Sequence, residues 1–304
     1  MPTMFAKVTV PALLTGVLFV PPAMADSLLF STGNPDGLMA TASRPDSAPA
    51  GTPSNEIESA DDFVLTQPTS ISSATFTGLL PQGALPSDIG QVVVEIYRVF
   101  PNDSDVNRTS GPPVFFTDNV PTRVNSPSDV EVDDRDTAAG NLSFSTTVLS
   151  TSFTADNSVK PGGIHPKPNQ TTMGNGPVTD EEVQFTVNFS TPFDLNADHY
   201  FFVPQVELDD GTFMWLSTHH PIPFPTGFTD LQSWTRDAAL EPDWLRVGTD
   251  IVGPIDGVTT VFNAAFSLTG STVPEPSTWA MMLVGFAGLG YASLRQAWKP
   301  RTLL

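Results

Sequence analysis

Alternation of apolar with polar residues is the feature that most restricts what this chain can fold into. Val183, Phe185, Val187 and Phe189 are separated by Gln184, Thr186 and Asn188, and Leu142, Phe144, Thr146 and Val148 repeat the pattern with Ser and Thr between them. A period of two places alternate side chains on one face of a strand, and that face must be buried. Further runs rich in Thr, Val and Phe occupy 71–79, 92–100, 200–206, 213–217 and 258–268, a composition suited to a pleated surface. A clean 3.6-residue period is missing from 26–272, although 231–240, following Asp230, has the spacing of a short helix. Many strands without intervening helices predict an all-β fold, an antiparallel β-sandwich or jelly roll. Asp209-Asp210-Gly211, between Val206 and Phe213, reads as a hairpin turn.

Composition narrows the reading. The chain has 304 residues, 30 Pro and 22 Gly, so turns are frequent and long helices few. It has no cysteine, which excludes disulfides, thiolate zinc sites, iron–sulfur clusters and a cysteine nucleophile. With 13 basic against 33 acidic residues the net charge is −20, which excludes a nucleic-acid binder, because phosphate affinity comes from Lys and Arg. Residues 32–60, 101–141 and 154–182 are rich in Pro, Asp, Ser and Asn and read as loops. The expected organisation is a flexible leader at 26–54 and one domain at 55–270.

Both ends stand apart from that domain. In residues 1–25, Lys7 precedes an uncharged run, Val8 to Val20, and Ala23-Met24-Ala25 follows; this is the layout of a secretory signal peptide. At the other end Pro276 to Leu294 carries no charge, and Arg295, Lys299 and Arg301 follow it. The apolar part, Trp279 to Leu294, would measure about 24 Å as a helix, slightly short of a ~30 Å hydrocarbon core. A short segment still spans by thinning the bilayer, and the basic tail, 295–301, marks the cytoplasmic side. A single C-terminal transmembrane helix at about 277–294 is therefore expected. Without the two ends, 9 basic and 32 acidic residues remain, a net charge of −23.

Pro274, Glu275 and Pro276, then Trp279, the Gly-rich apolar span and Arg295, resemble the PEP-CTERM sorting signal of Gram-negative bacteria, over 273–304. The resemblance implies an exosortase as partner, removal of the tail during export, and a final place at the cell surface or in the extracellular polysaccharide matrix. Membrane contact is then only transient, through the C-terminal span. Ala60-Asp61-Asp62-Phe63 and Ala265 to Gly270 also resemble features of β-sandwich domains found ahead of such signals.

Chemistry is less legible. The chain contains no Gly-x-Ser-x-Gly elbow, Walker loop, His-Glu-x-x-His or dinucleotide fingerprint, and the expectation is a non-catalytic domain without a cofactor. His165, His199, His219 and His220 read as solvated loop histidines. Asp129, Glu131 and Asp133 would share one face if they lay on a strand; solvated loop acids are the ordinary reading, a structural calcium site the sharper one. Trp234 and Trp244, with Gln232, Arg236 and Asp243 nearby, are the candidate platform for an extracellular glycan, and burial in the core is the competing fate. A hydrolase acting on matrix glycans, with a carboxylate pair about 5–10 Å apart, is the further alternative.

Overall fold

The alternating segments close into two sheets with their apolar faces together, in a computed structural model describing residues 26–47, 55–104, 124–164, 171–222, 229–238, 244–255, 257–273 and 276–297. In chain order the strands are β1 (Ser27–Ser31), β2 (Met39–Ala42), β3 (Ile57–Leu65), β4 (Thr69–Leu80), β5 (Ile89–Arg98), β6 (Asp133–Asp136), β7 (Leu142–Ala155), β8 (Asn157–Val159) and β9 (Val178–Leu195). They continue as β10 (Asp198–Leu208), β11 (Met214–Thr218), β12 (Trp234–Asp237), β13 (Leu245–Arg246), β14 (Pro254–Ile255), β15 (Val258–Thr259), β16 (Asn263–Ala264) and β17 (Phe266–Thr272), before one α-helix, α1 (Pro276–Ala297).

The larger sheet is built around β4, which pairs with β9 along one side, and β9 with β7 beyond it. Along its other side β4 pairs first with β17, which carries β1, and then with β11, which carries β2 and β8. The smaller sheet runs β13-β12-β3-β10-β5-β6. All pairings are antiparallel except β2 with β8. The faces meet through aromatic rings: Phe202 of the smaller sheet stacks on Phe266 of the larger at 4.9 Å and lies 6.4 Å from Phe76, which itself stacks on its neighbour Phe185 at 4.9 Å. Offset ring pairs of this kind add about 0.5–1.5 kcal/mol each beyond their buried area. Gly78 lets β4 pass under this layer, since a Cβ there would lie 2.2 Å from the ring of Phe213.

The all-β, antiparallel architecture follows the alternation, but several expectations are corrected. The segment 26–54 is not a flexible leader throughout: β1 and β2 are strands of the larger sheet, because Phe30, Met39, Ala40 and Ala42 are buried. Asp209-Asp210-Gly211 does not close a hairpin. It carries the chain from β10 in the smaller sheet to β11 in the larger, with Gly211 at φ +91°. The helix read at 231–240 is strand β12 over 234–237, held by pairing with β3. The run 258–268 is broken into β15, β16 and the start of β17. Strands β2, β6 and β8 fall within segments read as loops, and β3 begins in one.

Candidate functional site

Strand β3 carries Glu58, Asp61 and Asp62, all buried, and they organise the polar chemistry of the domain. Alternation sends Asp61 between the sheets and Asp62 to the outer face. Asp61 accepts hydrogen bonds from the Ala264 N–H (2.8 Å) and the Ser233 hydroxyl (3.3 Å). Asp62 accepts from the Leu231 N–H (3.0 Å) and contacts His199 Nε2 at 2.6 Å. Burial raises the pKa of both carboxyls, Asp61 further through the charge of Asp62, while His199 partly offsets the rise at Asp62. A third carboxylate, Asp230, lies beside His220 Nδ1 (3.1 Å) and accepts from Asn263 Nδ2 and the Ile222 N–H. Burial alone would raise Asp230, but these donors outweigh it and hold its pKa below the ordinary value. The hydrogen bond to Asp230 raises His220 in turn. These contacts pin the segment 229–233 and strands β10 and β16 onto β3.

Next to this hub is a polar cavity of about 480 Å³ whose lining includes Asn125, His220, Asp230, Gln232, Trp234 and Arg246. Arg246 is already committed, with Nη2 at 2.8 Å and Nε at 2.9 Å from the buried Asp250.

The outer face of the smaller sheet holds a second cluster. Arg236 of β12 forms a bidentate ion pair with Glu58. The Tyr97 hydroxyl donates to Glu58 at 2.7 Å and lies 3.2 Å from Glu95 Oε2, so it bridges the two carboxylates. Four acids, Glu56, Glu58, Glu95 and Glu131, surround this one guanidinium. Burial, reinforced by the neighbouring carboxylates, raises Glu95 well above the usual range and pushes Glu56 up to about 7; burial also raises Glu131. At Arg236 burial works against the charge, but Glu58 and its neighbours outweigh it.

Trp234 and Trp244 do not form an exposed glycan platform: each is only 1 % exposed. The Arg236 guanidinium lies 4.6 Å over the Trp244 ring, Tyr97 meets it edge-on at 5.6 Å, and its Nε1 donates to Ser128 O. Trp234 packs in the same outer cluster with Phe201 and Val203. Arg236 and Tyr97 occupy the Trp244 ring and the Arg246 guanidinium lies 5.9 Å over Trp234, so neither indole stands free as a stacking platform. Asp129, Glu131 and Asp133 do not share a strand face either, since β6 begins only at Asp133. Asp133 pairs with Arg135 at 2.7 Å, Glu131 hydrogen-bonds Glu95, and the Asp129 N–H donates to Ser104. Among the described residues no group of three or more His, Asp or Glu side chains is placed to hold a metal.

The tail leaves the sandwich abruptly. Thr272 is the last paired residue of β17, opposite Thr69, and the Val273 N–H donates to Pro68 O at 2.8 Å. Helix α1 follows, with 281–294 exposed; Pro274 and Glu275, like the signal-peptide residues 1–25, lie outside the described residues. Among the described residues no helix is long and apolar enough to cross a membrane. Residues 272–296 match the family model of the PEP-CTERM protein-sorting motif. The chain carries a PEP-CTERM sorting motif. The motif implies export, an exosortase as processing partner and sorting to the surface. No curated protein and no solved structure matches this PEP-CTERM chain.

Proposed function

We propose that this is an exosortase-processed surface or matrix protein whose β-sandwich is a non-catalytic display module, exported by a signal peptide at 1–25 and held briefly by its C-terminal span. The observation that carries this reading is the sorting motif at 272–296. Its position supports release: the motif starts where β17 ends, so a cut at Pro274 to Pro276 removes no strand. The net charge of −20 keeps such a domain soluble and apart from its copies. The hydrolase alternative draws on the Glu58 and Glu95 pair, but Glu58 is fully buried beneath Arg236, and substrate would need that cover removed.

Mass spectrometry of the protein recovered from the cell surface tests the reading. The expected product lacks 1–25 and the residues after the motif, and Glu275→Ala accumulates as the unprocessed form. A surface protein that retains its tail, or a Glu275→Ala chain trimmed normally, would overturn exosortase processing.

A further inference from the structure

The outward face of the larger sheet has a regularity that the display reading does not use. Because β1, β17, β4, β9 and β7 lie side by side in register, Ser31, Ser267, Thr75, Thr186 and Ser145 form one row across five strands. Thr269, Ser73, Asn188 and Ser143 form the next row. Alternation explains why they face outward: Phe266, Ala74, Phe76, Phe185 and Val187 between them are the residues packed into the core. Strand spacing sets one polar side chain every ~4.8 Å across the face, and the pleat sets rows about 6.8 Å apart.

At the β1 side of this face, over β1, β17 and β4, lies a groove of about 250 Å³, lined by Leu28, Ser31, Asn34, Thr75, Gln184 and Ser267 among others. Its polar groups are all uncharged. Hydroxyl and amide groups both donate and accept, and the Thr75 and Ser267 hydroxyls are locked together at 2.6 Å, which orients their remaining capacity. Leu28, 58 % exposed, supplies an apolar rim. No charged side chain stands in either row, although acids border them: Asp26 contacts Ser72 at one margin, and Glu182 pairs with Leu79 at the other.

We propose that this groove binds a stretch of uncharged, polyhydroxylated polymer, a neutral glycan. Such a chain offers hydroxyl groups to the ladder and C–H faces to Leu28, and it brings no charge against the bordering acids. An anionic glycan would meet those acids and the −20 chain unfavourably. A second copy of this chain would bring the same charge to the same face. The proposal adds a ligand to the display reading, and relies on it only for where the ligand is met.

The test is native gel electrophoresis of the full chain in gels containing hydroxyethylcellulose, dextran or galactomannan, with alginate as the anionic comparison. Retardation by at least one neutral polymer and none by alginate is expected. The double variant Thr75→Val, Ser267→Ala, which removes both hydroxyls of the groove floor together, should weaken it at least tenfold with an unchanged thermal midpoint. Leu28→Asp, which alters only the exposed rim, should do the same and covers the case in which the double variant misfolds. The proposal fails if no neutral polymer retards the protein, if alginate does so better, or if the folded variants bind like the parent. It also fails if sedimentation shows a dimer that these variants dissolve, since the face is then occupied by a second copy. Tail processing is read separately by mass, so loss of the glycan reading leaves export standing.

Discussion

Raising the pH from 5 to 8 should destabilise this protein, and Glu56 provides the clearest lever. Its carboxyl is pushed from 4.5 to about 7, first by burial and then by the charge of Glu58. A carboxyl that holds its proton more tightly folded than unfolded stabilises the fold below the unfolded pKa. That stabilisation is lost as pH climbs through the folded value. At ~1.4 kcal/mol per pKa unit the rise corresponds to about 3 kcal/mol, and to about 1–2 kcal/mol once partial solvent screening is allowed for. Glu95 and Glu131 are raised in the same direction and add to the slope. Asp103 and Asp230 are lowered, so they contribute the opposite slope, but only as pH falls below about 4. Gln205 works against the rise: its Nε2 donates to Glu56 at 3.1 Å and favours the charged carboxylate, but burial and Glu58 outweigh it. Urea unfolding of the full chain and of Glu56→Gln at pH 5, 6, 7 and 8 measures the effect. The variant should match the parent near pH 5 and exceed it by about 1–2 kcal/mol at pH 8. A difference independent of pH, or a parent that gains stability between pH 5 and 8, would refute the argument.

Two further outcomes follow from packing. Trp244→Ala should cost about 3–5 kcal/mol through the cavity it leaves and the Tyr97 and Arg236 contacts it removes, read as a shift in urea midpoint. A loss below about 1 kcal/mol would place the ring at the surface, as for ordinary exposed substitutions. Gly78→Ala should destabilise by about 1–3 kcal/mol or more, because its Cβ would meet both the Phe213 ring and Met214 O, the latter at 2.7 Å; differential scanning calorimetry should show the melting temperature fall.

The strands with clean alternation were legible because their polar positions face water: Gln184 and Thr186 stay partly exposed while Phe185 and Val187 are buried. Strand β3 was not. Glu58, Ser59, Asp61 and Asp62 give it the composition of a loop, yet all four are buried and hydrogen-bonded. Hydropathy cannot distinguish a solvated acid from one whose partners, such as Ala264 and Arg236, arrive from about 180–200 residues away. The same limit hid the outer cluster. The Asp61-Asp62 pair resembles a feature of known sandwich domains, but its sequence carries no indication of what the two acids hold.

What this sequence determines by itself is its β class and its address. Period-two alternation is a local property of the backbone, and the sorting motif is read as a contiguous segment at 272–296. Tertiary structure alone decides the fate of Trp234 and Trp244, because burial depends on what else crosses the smaller sheet, here Arg236 and the segment around Ser128. It also decides that Asp209-Asp210-Gly211 joins two sheets, since a turn signal states that the chain reverses and not which strand receives it. The hydroxyl rows are the same kind of fact. Ser31, Ser267, Thr75, Thr186 and Ser145 are ordinary strand residues in the sequence, and only the register of five strands sets them side by side.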